Sequence, residues 1–100
     1  MPSRHQIPRY QIHCVGRSDR LNHDRRIRRI GGANADGAQW QISEEAAIAG
    51  IESGRWCFYL SSAGQEVDIV VAISKYGHKY LKAAADQLHP EILLALPECR

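Results

Sequence analysis

Five large aliphatic residues, Leu88, Ile92, Leu93, Leu94 and Leu96, crowd into nine positions near the C-terminus, punctuated by Pro90 and Pro97. Each would forgo about 1.5–3 kcal/mol if left in water when burial is the alternative. An ending of this kind is core, and the rest of the chain must offer it a face to close. Deleting residues 87–100 is therefore expected to abolish cooperative unfolding.

The remaining pattern supplies that face. Tyr10, Ile12 and Cys14 alternate with Gln11 and His13, which reads as a half-buried strand over Arg9–Val15. Residues 26–30 and 39–42 form two more short strands, with Asn34-Ala35-Asp36-Gly37 as the turn of a hairpin between them. Ser43 is an N-cap followed by Glu44-Glu45 at the positive end of a helix dipole. Ala47, Ile48 and Ile51 follow at helical spacing, and Gly54 supplies a left-handed stop, so a helix runs through 44–53. Strands are expected at 56–60, at 66–74 and at 78–82, with turns around Ser61–Gln65 and Lys75-Tyr76-Gly77. The 66–74 strand is apolar on both faces and belongs near the middle of its sheet.

The reading is an α+β fold: a mostly antiparallel sheet of five to six strands, the main helix 44–53 on one face, and an apolar C-terminal segment with a short helix at about 90–95. Two isoleucines on the main helix cannot cover such a sheet alone, which is why the leucines must complete the cover. Residues 1–8 are polar, carry Pro2 and Pro8, and are expected to form a flexible arm before a single domain spanning 9–99.

Composition narrows the class. With 44% hydrophobic and 24% charged residues the chain is globular and not disordered. No apolar run approaches the ~18 residues that a bilayer span requires. No signal core follows the first charges, so a cytoplasmic location is expected. Cys14, Cys57 and Cys99 are an odd set without C-x-x-C spacing, and they read as reduced thiols. Residues 1–30 carry +6 and the other seventy −4, within a net charge of +2. Such asymmetry marks either an anionic partner or a solvated surface.

These residues resemble a small uncharacterised bacterial family, domain-of-unknown-function family 3892. The resemblance lies in Arg26-Ile27 with Ile30-Gly31-Gly32, Trp40 with Ile42-Ser43, and Ala47-Ile48 with Ile51-Glu52-Ser53-Gly54. It continues through Phe58 and Lys79-Tyr80-Leu81-Lys82 with Asp86, and ends at Leu93-Leu94 with Leu96-Pro97-Glu98-Cys99. The chain departs from the family pattern at Ala83, where threonine is usual, and at Gln87, where glycine is usual. The resemblance implies a shared fold and supplies no reaction or ligand.

Several groups invite a chemical reading. Arg17, Arg20, Arg25, Arg26, Arg28 and Arg29 form a basic stretch that could neutralise phosphates, and Lys79 and Lys82 beside Tyr80 could grip an anion. The blander alternatives are a solvated loop paired locally with Asp19 and Asp24, and an edge strand guarded by lysines with its tyrosine turned inward. No RNA-binding octapeptide, helix-turn-helix or zinc-finger spacing accompanies the arginines. Three cysteines and five histidines contain no close metal-ligand pair, and His13 and Cys14 should face opposite ways, so neither metal nor cofactor is expected. Gly31–Gly37 lacks the lysine of a phosphate loop and is a turn. Asp24, Asp36, Asp68 and Asp86 with His23 or His89 show no spacing that selects an acid–base site. Trp40, Trp56, Phe58 and Tyr59 read as core and rim packing.

Three functions follow, in order of support. The first is a non-enzymatic binding or interaction module, working with a protein partner or as a homodimer, with no catalytic residues. The second is a nucleic-acid-binding domain using the arginines of 17–29 with Lys79 and Lys82. The third is a small hydrolase or metalloenzyme.

Overall fold

The first strand serves two neighbours at once, and this organises the chain. In the computed structural model, which describes residues 7–17, 27–86 and 91–99, it divides into β1 (Arg9–Gln11) and β2 (Cys14–Arg17). Successive N–H groups of a strand point to opposite edges. At the junction the Ile12 N–H donates to Tyr59 O at 2.8 Å, and the next one, His13, donates to Gly31 O at 2.8 Å. So β1 pairs in parallel with β5 (Cys57–Ser62), while β2 pairs antiparallel with β3 (Ile27–Ala33).

The other ladders are antiparallel. β3 pairs with β4 (Gln39–Ser43), β5 with β6 (Gln65–Ile73), and β6 with β7 (Lys79–Ala83). The α+β class and the single main helix are as the sequence predicts. The strands, however, divide between a four-stranded sheet ordered β1-β5-β6-β7 and a three-stranded sheet ordered β2-β3-β4. The physical reason is the change of partner at Ile12-His13. As expected, β6 is an interior strand.

The helix α1 (Glu44–Glu52) starts where its cap predicts: Ser43 Oγ accepts from the Ala46 N–H at 3.0 Å, and Gly54 takes φ 76° just after its end. Ala47 and Ile48 are its buried apolar contacts. They join a single cluster with Ile12, Val15, Ile27, Ile30, Phe58, Leu60, Ile69, Leu81, Ala83 and Leu93. The second helix, α2 (Glu91–Leu94), brings Leu93 to 0% exposure, with Ile92, Leu94 and Leu96 half-buried against the same core. The leucine-rich ending is therefore core. Leu88 lies outside the described residues, as does the arm 1–8 apart from the exposed Ile7 and Pro8. Among the described residues no helix is long and apolar enough to cross a membrane.

The end of the chain then returns to a sheet edge. Val15 N–H donates to Pro97 O and Cys99 N–H donates to Val15 O, both at 2.9 Å, making a parallel bridge between Val15 and Glu98. Cys14 and Cys99 form a disulfide, with Cα atoms 4.9 Å apart. This corrects the expectation of three reduced thiols: 85 positions separate the two cysteines in sequence, and only the return of the chain end along β2 brings them together. Cys57 is the free cysteine.

Candidate functional site

Residues paired across a ladder share a face of the sheet. Gly32 faces Trp40 and Ile30 faces Ile42, while Tyr10 faces Phe58. The resulting apolar face is covered by α1 along part of its length. Beyond the helix it opens into a cleft of about 230 Å³ lined by Tyr10, Asn34, Trp40, Ile42, Trp56 and Phe58. Its rings form one connected set: Trp40 and Phe58 lie 5.6 Å apart between centroids, Tyr10 and Trp40 5.8 Å, Tyr10 and Phe58 6.1 Å, and Trp56 and Phe58 6.4 Å. Separations of this order are the favoured range for tilted and edge-on aromatic pairs.

Two glycines make room for the indoles. A methyl on Gly32 would meet the Gln11 carbonyl first and the Trp40 ring next, and one on Gly50 would overlap the ring of Trp56. Trp56 is further fixed by its Nε1–H, which donates to Ala47 O of α1 at 3.4 Å. Trp40 differs: its Nε1 is buried with no hydrogen-bond partner, alone in this among the described residues. Among the described residues no charged side chain lines the cleft. Chemically it can hold a flat or ring-shaped apolar group by stacking and dispersion.

The basic residues lie elsewhere. Arg29 and Gly31 alternate with Ile30 and Gly32 along β3, so the arginine projects from the opposite face, over Gly16 and toward Gln41 Oε1 at 3.4 Å. The register of β2 on β3 slips between Gly16 and Arg17, where Gly16 pairs with Arg29 and Arg17 with Ile27. Arg28 is the extra residue of this bulge. That is why Arg28 and Arg29 are both exposed in succession. Arg20, Arg25 and Arg26 lie outside the described residues.

Other polar residues singled out in the sequence are engaged in holding the fold. Arg17 donates through Nη1 to Glu98 Oε1 at 2.7 Å and through Nη2 to the carbonyls of Leu94 and Leu96. Its own N–H also reaches Glu98 Oε2 at 3.2 Å. These bonds, the backbone one first, hold the Glu98 carboxyl below its ordinary value of 4.5. Lys79 pairs with Glu52 of α1 at 2.8 Å. Lys82 Nζ donates to Asp86 O at 2.7 Å, and the Asp86 carboxylate accepts from the N–H groups of Ala83 and Ile92 at 3.3 Å. Tyr80 is buried, 7% exposed, as expected for an edge strand with its ring turned inward. On β1, Arg9 sits 4.2 Å from the Tyr59 ring centroid and bonds Glu66 and Asp68 at 3.0 Å each; its hydrogen bonds to Asp68 and then Glu66 push its ionisation upward.

His13 is exposed and its Nδ1 accepts from the Ala33 N–H at 3.3 Å. Among the described residues no three His, Cys, Asp or Glu side chains gather to hold a metal; His23, Asp24 and His89 lie outside them. The aromatic lining was read from sequence as packing. The structure agrees, with Phe58 in the core and Trp40 and Trp56 half-buried against it; Gly50, inside a helix where glycine costs up to about 1 kcal/mol, was a further signal of the close seat of Trp56.

The chain belongs to DUF3892, a family of proteins of unknown function, which it matches over residues 11–97. No curated protein and no solved structure matches it. The polar joints described above, Lys82 with Asp86 and Arg17 with Glu98, fall almost wholly inside that span, and Trp40 and Phe58 of the cleft fall inside it as well.

Proposed function

We propose that this DUF3892 chain is a non-enzymatic binding module of a bacterial cytoplasm, a single domain over residues 9–99 whose aromatic cleft receives a ring-shaped apolar group of its partner. The observation that carries the reading is the connected set of Tyr10, Trp40, Trp56 and Phe58, lining an open cleft of about 230 Å³ with no charged side chain among the described residues. Aromatic surface of this kind is what a small domain ordinarily buries. A cavity of that volume suits one ring or one aromatic side chain better than an extended ligand, since drug-sized sites run to roughly 300–1,000 Å³. A reducing cytoplasm accommodates the Cys14–Cys99 bond when that bond cycles between oxidised and reduced forms, the usual behaviour of cytosolic disulfides.

Indole is the probe that tests the reading. Titrated into labelled protein and followed by NMR, it should shift the Trp40 and Trp56 indole resonances and those of Tyr10 and Phe58 in a saturable way. Tyr10→Ala should weaken the response. Shifts confined to other residues, or none at millimolar indole, would refute the proposal.

A second reading is favoured by one observation, the bulge that exposes Arg28 and Arg29 side by side. It is a nucleic-acid surface centred on Arg28 and Arg29 on the opposite face; Arg17, Lys79 and Lys82 are engaged by protein groups, and Arg20, Arg25 and Arg26 lie outside the described residues. It requires a labelled single-stranded oligonucleotide to bind with an affinity that falls steeply as salt rises. Absence of binding at low salt disposes of it.

A further inference from the structure

Two attachments hold the closing segment, one at each end, and they differ in kind. At its start the Asp86 carboxylate accepts from the Ile92 N–H, and the Leu93 side chain is fully buried. At its far end Ala95, Pro97 and Glu98 are exposed and Leu96 is half-buried. There the segment is held by two backbone hydrogen bonds with Val15, by the Arg17 contacts, and by the Cys14–Cys99 bond. Water competes for each of those hydrogen bonds and for the exposed ion pair. It does not compete for the disulfide. Neither cysteine is fully buried.

We propose that Cys14–Cys99 is a redox latch on residues 95–99. A dithiol reductant attacks the bond, passes through a mixed disulfide, and leaves as its own disulfide; its two electrons and two protons remain on Cys14 and Cys99 as thiols. Leu93 stays seated, held from the Asp86 side. What opens is the end of the segment and the edge of β2 that it covers, including the Val15 N–H and carbonyl. Eleven of the twelve residues of the core cluster lie outside this segment, on the strands, at the β1–β2 junction and on α1, and keep their packing. The latch stands apart from the aromatic cleft and from any ligand there.

Amide exchange tests it on the full chain carrying Cys57→Ser, which removes the third thiol, compared oxidised and after reduction by dithiothreitol with mass spectrometry confirming both states. Protection at the Val15 and Cys99 amides should fall about tenfold or more on reduction, while Ile30, Leu60 and Ile69 change by less than about twofold. Reoxidation should restore the original pattern, and Cys14→Ser/Cys99→Ser in the same background should reproduce the reduced one. Unchanged protection at Val15 and Cys99 overturns the proposal. So does a loss shared by Ile30, Leu60 and Ile69, or a double variant that does not fold, because either makes the bond a staple of the whole domain.

Discussion

The closing segment and the aromatic cleft are built from opposite materials. The segment and its anchors are rich in polar and reactive groups, Arg17, Lys82, Asp86, Glu98, Cys14 and Cys99, and these are engaged with one another or with backbone groups. The cleft is rich in apolar rings, and among the described residues none of those lining it is charged. In a domain of this size charged side chains are easily mistaken for function and rings for core. Here Arg17, Lys82, Asp86 and Glu98 join elements to one another, and the rings pack against the core beside an open cleft.

If that contrast is right, the largest effect belongs to the segment. Reduction of the disulfide leaves Leu93 in place, whereas removal of residues 87–100 takes it away together with Ile92, Leu94 and Leu96. The truncated chain should lose cooperative thermal unfolding, followed by circular dichroism. A melt like that of the full chain would break the comparison, because the segment would then be an accessory to a core complete without it.

Much of this architecture could be read from the residues because it is local. Ser43 before Glu44-Glu45, Gly54 after Ile51, and the Asn34–Gly37 turn each act over a few positions, and each sits where its own chemistry places it. The leucine-rich ending could be read because burial of so much aliphatic surface has few alternatives. What could not be read is long-range. Whether the Ile12 and His13 N–H groups find the same neighbour or two different ones depends on the path of the whole chain, so the division into two sheets carries no local sign. The Cys14–Cys99 bond is hidden for the same reason. The candidate site is a different case: Trp40 and Phe58 have the periodicity of core residues and pack as such, and the cleft that opens beside them carries no local sign.

A smaller effect separates the two regions by their tolerance of added volume. Gly50→Ala gains up to about 1 kcal/mol of helix propensity. Its methyl, however, overlaps the Trp56 indole, and overpacking of this kind costs about 1–3 kcal/mol. The clash wins, giving a net loss in denaturant titrations, and Trp56 must shift, which should change its fluorescence and weaken indole binding together. A variant as stable as the parent that keeps the indole response would show that the indole seat does not shape the cleft.

The smallest effect sharpens the contrast at the other end, through acid. Glu98 ionises below its ordinary 4.5 in the folded chain because the Arg17 N–H and guanidinium bond its carboxylate. A depressed folded value means the contribution is fully present above the unfolded value and is lost as pH falls through the folded one. Acidification below 4.5 should therefore loosen the grip of Arg17 on the segment while the cleft, whose described lining holds no carboxylate or imidazole, keeps its indole response. Glu98→Gln should show the loosened state already at neutral pH and flatten this part of the acid dependence, read as the difference in melting temperature between variant and parent across the acid range. The pair is exposed, so the shift should amount to no more than a few degrees. The disulfide still holds the segment after Glu98 is protonated. Acid should therefore lower the protection factor of the Arg17 amide, referred to the unstructured rate at the same pH, with Val15 and Cys99 following only once the latch is also reduced. Equal acid sensitivity of all three amides in the oxidised protein would mean that the ion pair, and not the disulfide, is what holds residues 95–99 to β2.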